Sequence, residues 1–227
     1  MVDYEEIIQG LLRARAGQQA VSAERVYFTK TDRGVDPKRE NPFKYWPGTV
    51  PVLLSVPYSV RYLKNRKIMK SAEFTGSLGY LTGEMSGCHV LAVSKFYRGD
   101  PESDFPCIYK SFMGEICRKN QINLVLNLQG LTRDSQFDVD LAVISMVSKG
   151  EKVVKVLVRS LEGCGLTGLA INQLRPEPGS VAHFVSSDLG LTVVQVRVNR
   201  KYRVPNQNHH GFCRALAALV TGIKDLK

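Results

Sequence analysis

The sequence predicts an α/β fold, a three-layer α/β/α sandwich with a mixed central sheet, and three observations carry that expectation. Strand-like and helix-like segments alternate from Val50 onward, the pattern of helices laid on both faces of one sheet. Two of the strand-like segments, Val50 to Val56 and Ile122 to Leu128, are nearly continuous apolar runs, as expected of strands covered on both sides. Strand-like segments then crowd together towards the C-terminus, which implies that the sheet is mixed rather than wholly parallel.

The segments follow in order. Asp3 to Ala16 reads as a helix because Ile7, Ile8, Leu11 and Leu12 share one face. Arg25 to Lys30 reads as a short strand, and Thr31 to Gly48 as a charged, turn-rich connector. Residues 1–48 are therefore expected to be an N-terminal extension packed on a main domain of residues 49–227. Within that domain, Ser71 to Met85 reads as a helix and Cys88 to Ser94 as a strand. Pro106 to Asn120 reads as a helix opened by proline, which a first turn tolerates. Phe137 to Val143 reads as a strand, and Glu151 to Gly163 as a helix with Val153, Val154, Leu157 and Leu161 along one side. Leu166 to Asn172, Ser180 to Ser186 and Leu191 to Val198 read as strands. Gln207 to Leu226 closes the chain as a helix whose Phe212, Leu216, Leu219, Val220 and Ile223 face the core.

Composition narrows the function. At 227 residues with 44% hydrophobic and 23% charged side chains, the chain is long enough for a sizeable core and is not a disordered polypeptide. Its apolar runs fall short of the roughly 20 residues needed to span a bilayer, and the acidic start Asp3, Glu5, Glu6 is unlike an export signal. Cytoplasmic localisation without membrane insertion is the expectation. Five scattered cysteines without a Cys-x-x-Cys pair suit reduced, buried thiols better than a disulfide framework or a tetrahedral zinc site. A net charge of +10 favours anionic partners.

In open α/β sheets ligands sit beyond the carboxyl ends of the strands, and there the sequence becomes specific. Pro51-Val52-Leu53-Leu54-Ser55-Val56-Pro57-Tyr58-Ser59, Lys70-Ser71-Ala72-Glu73-Phe74-Thr75, Val125-Leu126-Asn127-Leu128-Gln129-Gly130, Arg133 with Phe137-Asp138-Val139-Asp140-Leu141, and Gln195-Val196-Arg197-Val198-Asn199-Arg200 with Arg203 follow one another in order. Together they resemble the N-formylglutamate amidohydrolase family, of zinc-carboxypeptidase-like architecture, over roughly Pro51 to Ile223. The family shows Ser-Val-Pro-His-Ser, Lys-x-x-Glu-x-x-Thr, Asp-Leu-His-Gly and Gln-x-Glu-x-Asn-Arg at these places.

The resemblance implies zinc ligands at positions 58, 73 and 129, a residue orienting the second histidine at 127, and a general base at 197. Only Glu73 is retained. Tyr58 and Gln129 stand where histidines are expected, and neither a neutral phenol nor a carboxamide is a good zinc ligand. Asn127 replaces the orienting aspartate, and Arg197 replaces the base. His183, His209 and His210 lie outside the matched positions, a relocated site using His183 with Glu73 being the minor alternative. The expectation is a cleft without a resident metal or cofactor, in which Glu73 pairs with Arg197 or another basic residue.

The basic residues point to what such a cleft would hold. Residues 61–70 carry Arg61, Lys64, Arg66, Lys67 and Lys70 with no acid, and Arg197, Arg200, Lys201 and Arg203 form a second cluster. A carboxylate or phosphate on a small molecule is the favoured partner. Nucleic acid, stacking on Tyr58, Tyr62 and Tyr202, is less favoured. The candidate cleft comprises Tyr58, Arg61, Glu73, Asn127, Gln129, Arg133, Asp140, Arg197 and Arg203. A hydrolase acting on an acylated amino acid or small amide is the competing function.

Overall fold

The computed structural model describes residues 2–28, 41–132, 134–144 and 148–226. Its centre is a seven-stranded mixed sheet made of β1 (Phe43–Trp46), β2 (Val50–Val56), β5 (Cys88–Val93), β6 (Leu124–Leu131), β7 (Val139–Val143), β8 (Leu169–Ile171) and β9 (Thr192–Asn199), in the spatial order β1-β5-β2-β6-β9-β7-β8. The inner strands β5, β2, β6 and β9 are mutually parallel, β1 is antiparallel to β5, and β7 is antiparallel to β9. β6 is the middle strand, as its apolar run implies, since a strand with neighbours on both edges and helices on both faces has no polar side to show.

Strand periodicity assigns the two faces. Leu54, Val56 and Leu128 point at α3 (Thr75–Ser86), whose Gly79 lies against all three side chains. On this side α3, α5 (Ser148–Gly163) and α1 (Tyr4–Arg13) pack around α8 (His209–Asp225). The alternate residue Ser55 points the other way and meets Tyr109 of α4 (Ile108–Lys119). The core thus lies in two layers, one on each side of the sheet.

The N-terminal helix ends earlier than its pattern implies. Arg15 adopts a left-handed conformation (φ 55°), and α2 (Ala16–Ala23) starts in a new direction, packed on α3. Arg25 to Phe28 of the expected strand Arg25 to Lys30 instead belong to a π-helical turn, Glu24–Phe28, that continues α2. The β-branched and aromatic run there is satisfied by packing instead, with Tyr27 and Phe28 clustering edge-on with Trp46 and Tyr80. Thr29 and Lys30 of that expected strand, and residues 31–40 of the connector, lie outside the described residues. Inside the 1–48 segment, Phe43–Trp46 supplies the sheet's edge strand. The strand expected at Ser180 to Ser186 is instead the helical turn α6 (Val181–His183) followed by a π-helical turn, Phe184–Asp188. Ser180 explains it, because its hydroxyl accepts from His183 N at 3.2 Å as an N-cap. A two-stranded hairpin, β3 (Tyr62–Lys64) with β4 (Lys67–Met69), and the short α7 (Arg200–Arg203) complete the chain. All five cysteines are free and buried, and burial pushes thiols such as Cys88 up to about 11.

Helix α3 approaches the sheet too closely for ordinary side chains. A Cβ at Gly83 would stand 2.3 Å from Val90 Cγ2, and one at Gly79 would stand 2.7 Å from Val56 Cγ2. Gly83→Ala should therefore lower stability by about 1–3 kcal/mol through overpacking, although alanine is favoured over glycine in a helix by about 1 kcal/mol. Urea unfolding checks this, and a net gain in stability would show that α3 is free to retreat.

Candidate functional site

The site lies at the carboxyl ends of the parallel strands. β6 runs three residues further than its apolar pattern shows, so Gln129 sits inside the strand rather than beyond it. The register pairs Asn127 with Gln195 and Gln129 with Arg197 across β6 and β9, and β7 brings Asp140 beside Arg197. Period-two alternation puts Ser55, Asn127, Gln129, Gln195, Arg197 and Asp140 on the α4 face. A row of polar side chains thus crosses an interior that is otherwise apolar.

Most of this row is satisfied internally. Arg197 Nη1 donates to Asp140 Oδ2 at 2.9 Å and to the Leu174 carbonyl. Ser55 Oγ donates to Asn127 Oδ1 at 3.2 Å, and Asn127 Nδ2 donates to both carboxylate oxygens of Glu102 at 3.2 and 3.1 Å. Burial raises Glu102 to about 7, against the lowering effect of the Asn127 hydrogen bond and of Lys110. Its neighbour Asp100 behaves oppositely. Burial pushes Asp100 up, but hydrogen bonds from Lys64, the Glu102 backbone and Tyr58 outweigh it and hold the carboxyl below its ordinary value. Tyr58 donates to Asp100 Oδ1 at 3.0 Å, and Lys64 Nζ stands 3.0 Å from Oδ2. Burial first, then the Glu102 and Asp100 carboxylates, raise the Tyr58 phenol far above its ordinary range, so it stays neutral. The Tyr58 and Tyr62 rings stack at 4.4 Å between centroids.

Two hollows open beside Tyr58 and Gln129, which line both. The outer one, about 630 Å³, also takes in Arg61, Lys70, Glu73, Arg200 and Arg203. The inner one, about 400 Å³, takes in Lys64, Glu102, Gln195 and Arg197. Gln129 Nε2 and Gln195 Oε1 are buried without a hydrogen-bond partner among the described residues. A groove of about 640 Å³ between α2 and α3 has one charged side chain of each sign, Arg15 and Glu84, and no comparable polar row.

The expected residues are thus divided. Tyr58 and Gln129 form the shared wall, Glu73, Arg61 and Arg203 belong to the outer hollow and Arg197 to the inner one. Asn127 and Asp140 are wholly buried beneath them. Arg133 lies outside the described residues. Glu73 does not meet Arg197. It binds Arg200, from Nη2 at 2.7 Å and Nε at 3.1 Å, because Arg197 is drawn to Asp140 on the neighbouring strand. Arg203 is 3% exposed and spans three carbonyls, those of Val198 (2.9 Å), Leu131 (3.0 Å) and Glu73. Burial pulls its guanidinium down to about 10. It is a strut rather than an open anion receptor. Sequence reasoning placed Lys64 in the basic cluster but missed its partner Asp100 and also Glu102, which lie on a loop without periodicity. It quoted Gln195 only as part of a motif, although its two-residue spacing from Arg197 puts both on the same face of the strand.

The donor set does not fit the zinc that the resemblance implies. Positions 58 and 129 offer a neutral phenol and a carboxamide, while the Glu73 carboxylate is engaged by Arg200. Among the described residues no three His, Cys, Asp or Glu side chains converge as a metal site. The His209 ring lies over Gly17 of α2, on the opposite layer from this cleft, and His183 lines neither hollow.

No family model and no curated protein matches the sequence. Among solved structures, the chain is similar in fold to an N-formylglutamate amidohydrolase from Ralstonia eutropha, with a TM-score of 0.60 and 13% identity over 82% of this chain and 97% of that one. It is also similar to a gene product of Agrobacterium tumefaciens, with a TM-score of 0.56 and 11% identity over 86% and 99% of the two chains. The likeness is one of fold, a hydrolase-like α/β sandwich.

Glu102 gives the site a measurable pH signature. Its ordinary value is 4.5 and its folded value about 7, so the folded state holds this proton more tightly than the unfolded one. The stability that Glu102 contributes is complete below pH 4.5 and is lost as pH rises towards 7. Glu102→Gln should therefore be more stable than the natural protein at pH 8, by up to about 3 kcal/mol, and converge with it near pH 4.5. Urea unfolding from pH 4.5 to 8 reads this, and a difference that does not change with pH would show that Glu102 does not titrate in that window.

Proposed function

We propose that this protein is a non-catalytic binder on a hydrolase-like scaffold, taking an anionic small molecule, a carboxylate or phosphate, in the strand-end cleft. One observation carries the reading: two of the three positions where the resemblance implies zinc ligands hold Tyr58 and Gln129, and the third, Glu73, is bound to Arg200. Four cationic side chains, Arg61, Lys70, Arg200 and Arg203, surround the outer hollow against that single carboxylate. The excess of positive charge favours an anion at low local dielectric. The unpartnered amide atoms of Gln129 and Gln195 suit a neutral group on the same ligand that both donates and accepts hydrogen bonds, because a buried amide without a partner costs about 1–3 kcal/mol.

A hydrolase acting on a small amide is the second reading. Glu102 favours it, since a carboxyl that titrates near neutrality beside a hollow is suited to hold or release a proton. The two readings diverge in purified protein. The binder should show thermal stabilisation by particular carboxylates or phosphates, with no hydrolysis of acylated amino acids. Arg200→Met removes one cation and leaves Glu73 facing the anion, so affinity measured by calorimetry should fall at least about tenfold. Near-stoichiometric zinc together with turnover of an acyl amino acid would overturn the binding reading and establish the hydrolase.

A further inference from the structure

In the β3–β4 hairpin, β3 is packed on the body through buried Tyr62, while the turn and β4 are exposed. Its turn residues Asn65 and Arg66 both have positive φ, 49° and 62°, the tight turn that matches the twist of two antiparallel strands. Every residue from Asn65 to Lys70 is exposed, including Ile68 at 64%. Arg66, Lys67 and Lys70 are in no ion pair among the described residues, whereas Lys64, beside the turn, is paired with Asp100. That ion pair, together with the hydrogen bond from Leu63 N to Tyr97 O, ties the hairpin to the loop before α4. The same loop carries Phe105, 81% exposed, and leads into Ile108 at the start of α4, 53% exposed. Among the described residues, four of the eight exposed large apolar side chains, Ile68, Met69, Phe105 and Ile108, therefore lie on two joined segments. Asp104 and Glu177 are exposed acids nearby: the Asp104 carboxylate accepts from the Asp100 backbone at 2.7 Å, and Glu177 lies within the field of Lys64.

We infer that the hairpin and its neighbouring loop dock the protein on an anionic lipid surface, with Arg66, Lys67 and Lys70 meeting headgroups while Ile68 and Phe105 enter the interface. Cations interleaved with exposed apolar side chains are the pattern of peripheral membrane attachment. Nucleic acid would gain the charge contacts but little from Ile68 and Met69, and the nearby rings of Tyr58 and Tyr62 are already stacked on each other. No described helix is long and apolar enough to cross a membrane, so the attachment is peripheral. It would bring the cleft mouth, which Arg61 and Lys70 also line, to the membrane face.

Co-sedimentation of the full chain with phosphatidylcholine vesicles, with and without phosphatidylserine, tests the inference. Binding should require phosphatidylserine and weaken with added salt. The double variant Arg66→Glu, Lys67→Glu should lower vesicle affinity at least about 25-fold, at about fivefold per cation lost. Ile68→Ser should lower it about tenfold while leaving the salt dependence unchanged. Lys152→Glu, Lys155→Glu, exposed on α5, makes the same change in net charge on the opposite layer and should cost less than about twofold. These positions are at the surface, so thermal unfolding should match the natural protein. Three outcomes would overturn the inference: no preference for phosphatidylserine, an equal loss in the α5 variant, or an Ile68→Ser variant that binds vesicles unchanged. In the last case, competition by single-stranded RNA would identify a nucleic-acid surface instead.

Discussion

The Arg203 guanidinium fixes the edge of the sheet at which every candidate ligand would arrive. From one buried side chain it reaches the carbonyls of Val198 at the end of β9, Leu131 at the end of β6, and Glu73 in the loop that enters α3. Those carbonyls lie up to 130 residues from Arg203 in sequence, and each gains a donor at the end of its segment. The same strut dictates Gly130, since a Cβ there would stand 2.5 Å from Arg203 Nη2. It also fixes the backbone of Glu73, which leaves the Glu73 carboxylate close to Arg200 on the next helical turn. A buried guanidinium is costly to desolvate, but carbonyl oxygens on three sides supply what water would have given.

Behind that edge, the polar row through the α4 layer imposes a second constraint. Ser55, Asn127 and Asp140 are fully enclosed, so each must find its partner inside the protein. Tyr109 and Ser55 exchange a hydrogen bond of 2.9 Å, Asn127 turns its amide to Glu102, and Asp140 takes Arg197. Such pairs add little net stability compared with apolar packing. They do fix the register of β6, β9 and β7, because a one-residue slip would place every one of these groups against the opposite, hydrocarbon layer. The price of that precision is borne at Gln129 and Gln195, whose amide atoms are left without partners in the hollow itself.

The sequence makes the architecture legible where physical constraints are local. Val50 to Val56 and the run into β6 are apolar on both sides because the finished sheet is covered on both sides. Helix α8 shows its buried face at helical spacing. Elements whose form depends on distant partners are not legible. The Glu24–Phe28 turn looks like a strand until Trp46 and Tyr80 supply its packing. The β3–β4 hairpin hides among lysines and arginines because its exposed strand has no buried face to betray it. The candidate cleft divides in the same way. Ordered motifs bring Tyr58, Glu73, Gln129 and Arg197 to one edge of the sheet, but not the split into two hollows, which follows from Arg197 choosing Asp140. Glu102 leaves no trace in its own segment, since its protonation depends on enclosure by Asn127, Asp100 and Lys110.

Tyr58, Asn127 and Arg197, three of the unexpected residues at the cleft, are each matched to another. A carboxylate at position 197 would stand beside fully buried Asp140 on the adjacent strand and within the field of Glu102, so one of the three would have to remain protonated. Arginine there turns the same position into a compensated ion pair. An imidazole at position 129 would share the inner hollow with Arg197, and Asn127 on the same strand, committed to Glu102, is an amide rather than the carboxylate that would orient the ring. Tyr58, in turn, donates a hydrogen bond to Asp100, which pairs with Lys64 beside the hairpin turn. The hydrogen bonds of the cleft therefore link the hairpin, the loop before α4 and the central strands into one electrostatic unit. Altering the residue at one position disturbs the charge balance at its neighbours, and the scaffold's stability resists piecemeal change at the cleft for the same reason that it holds the cleft together.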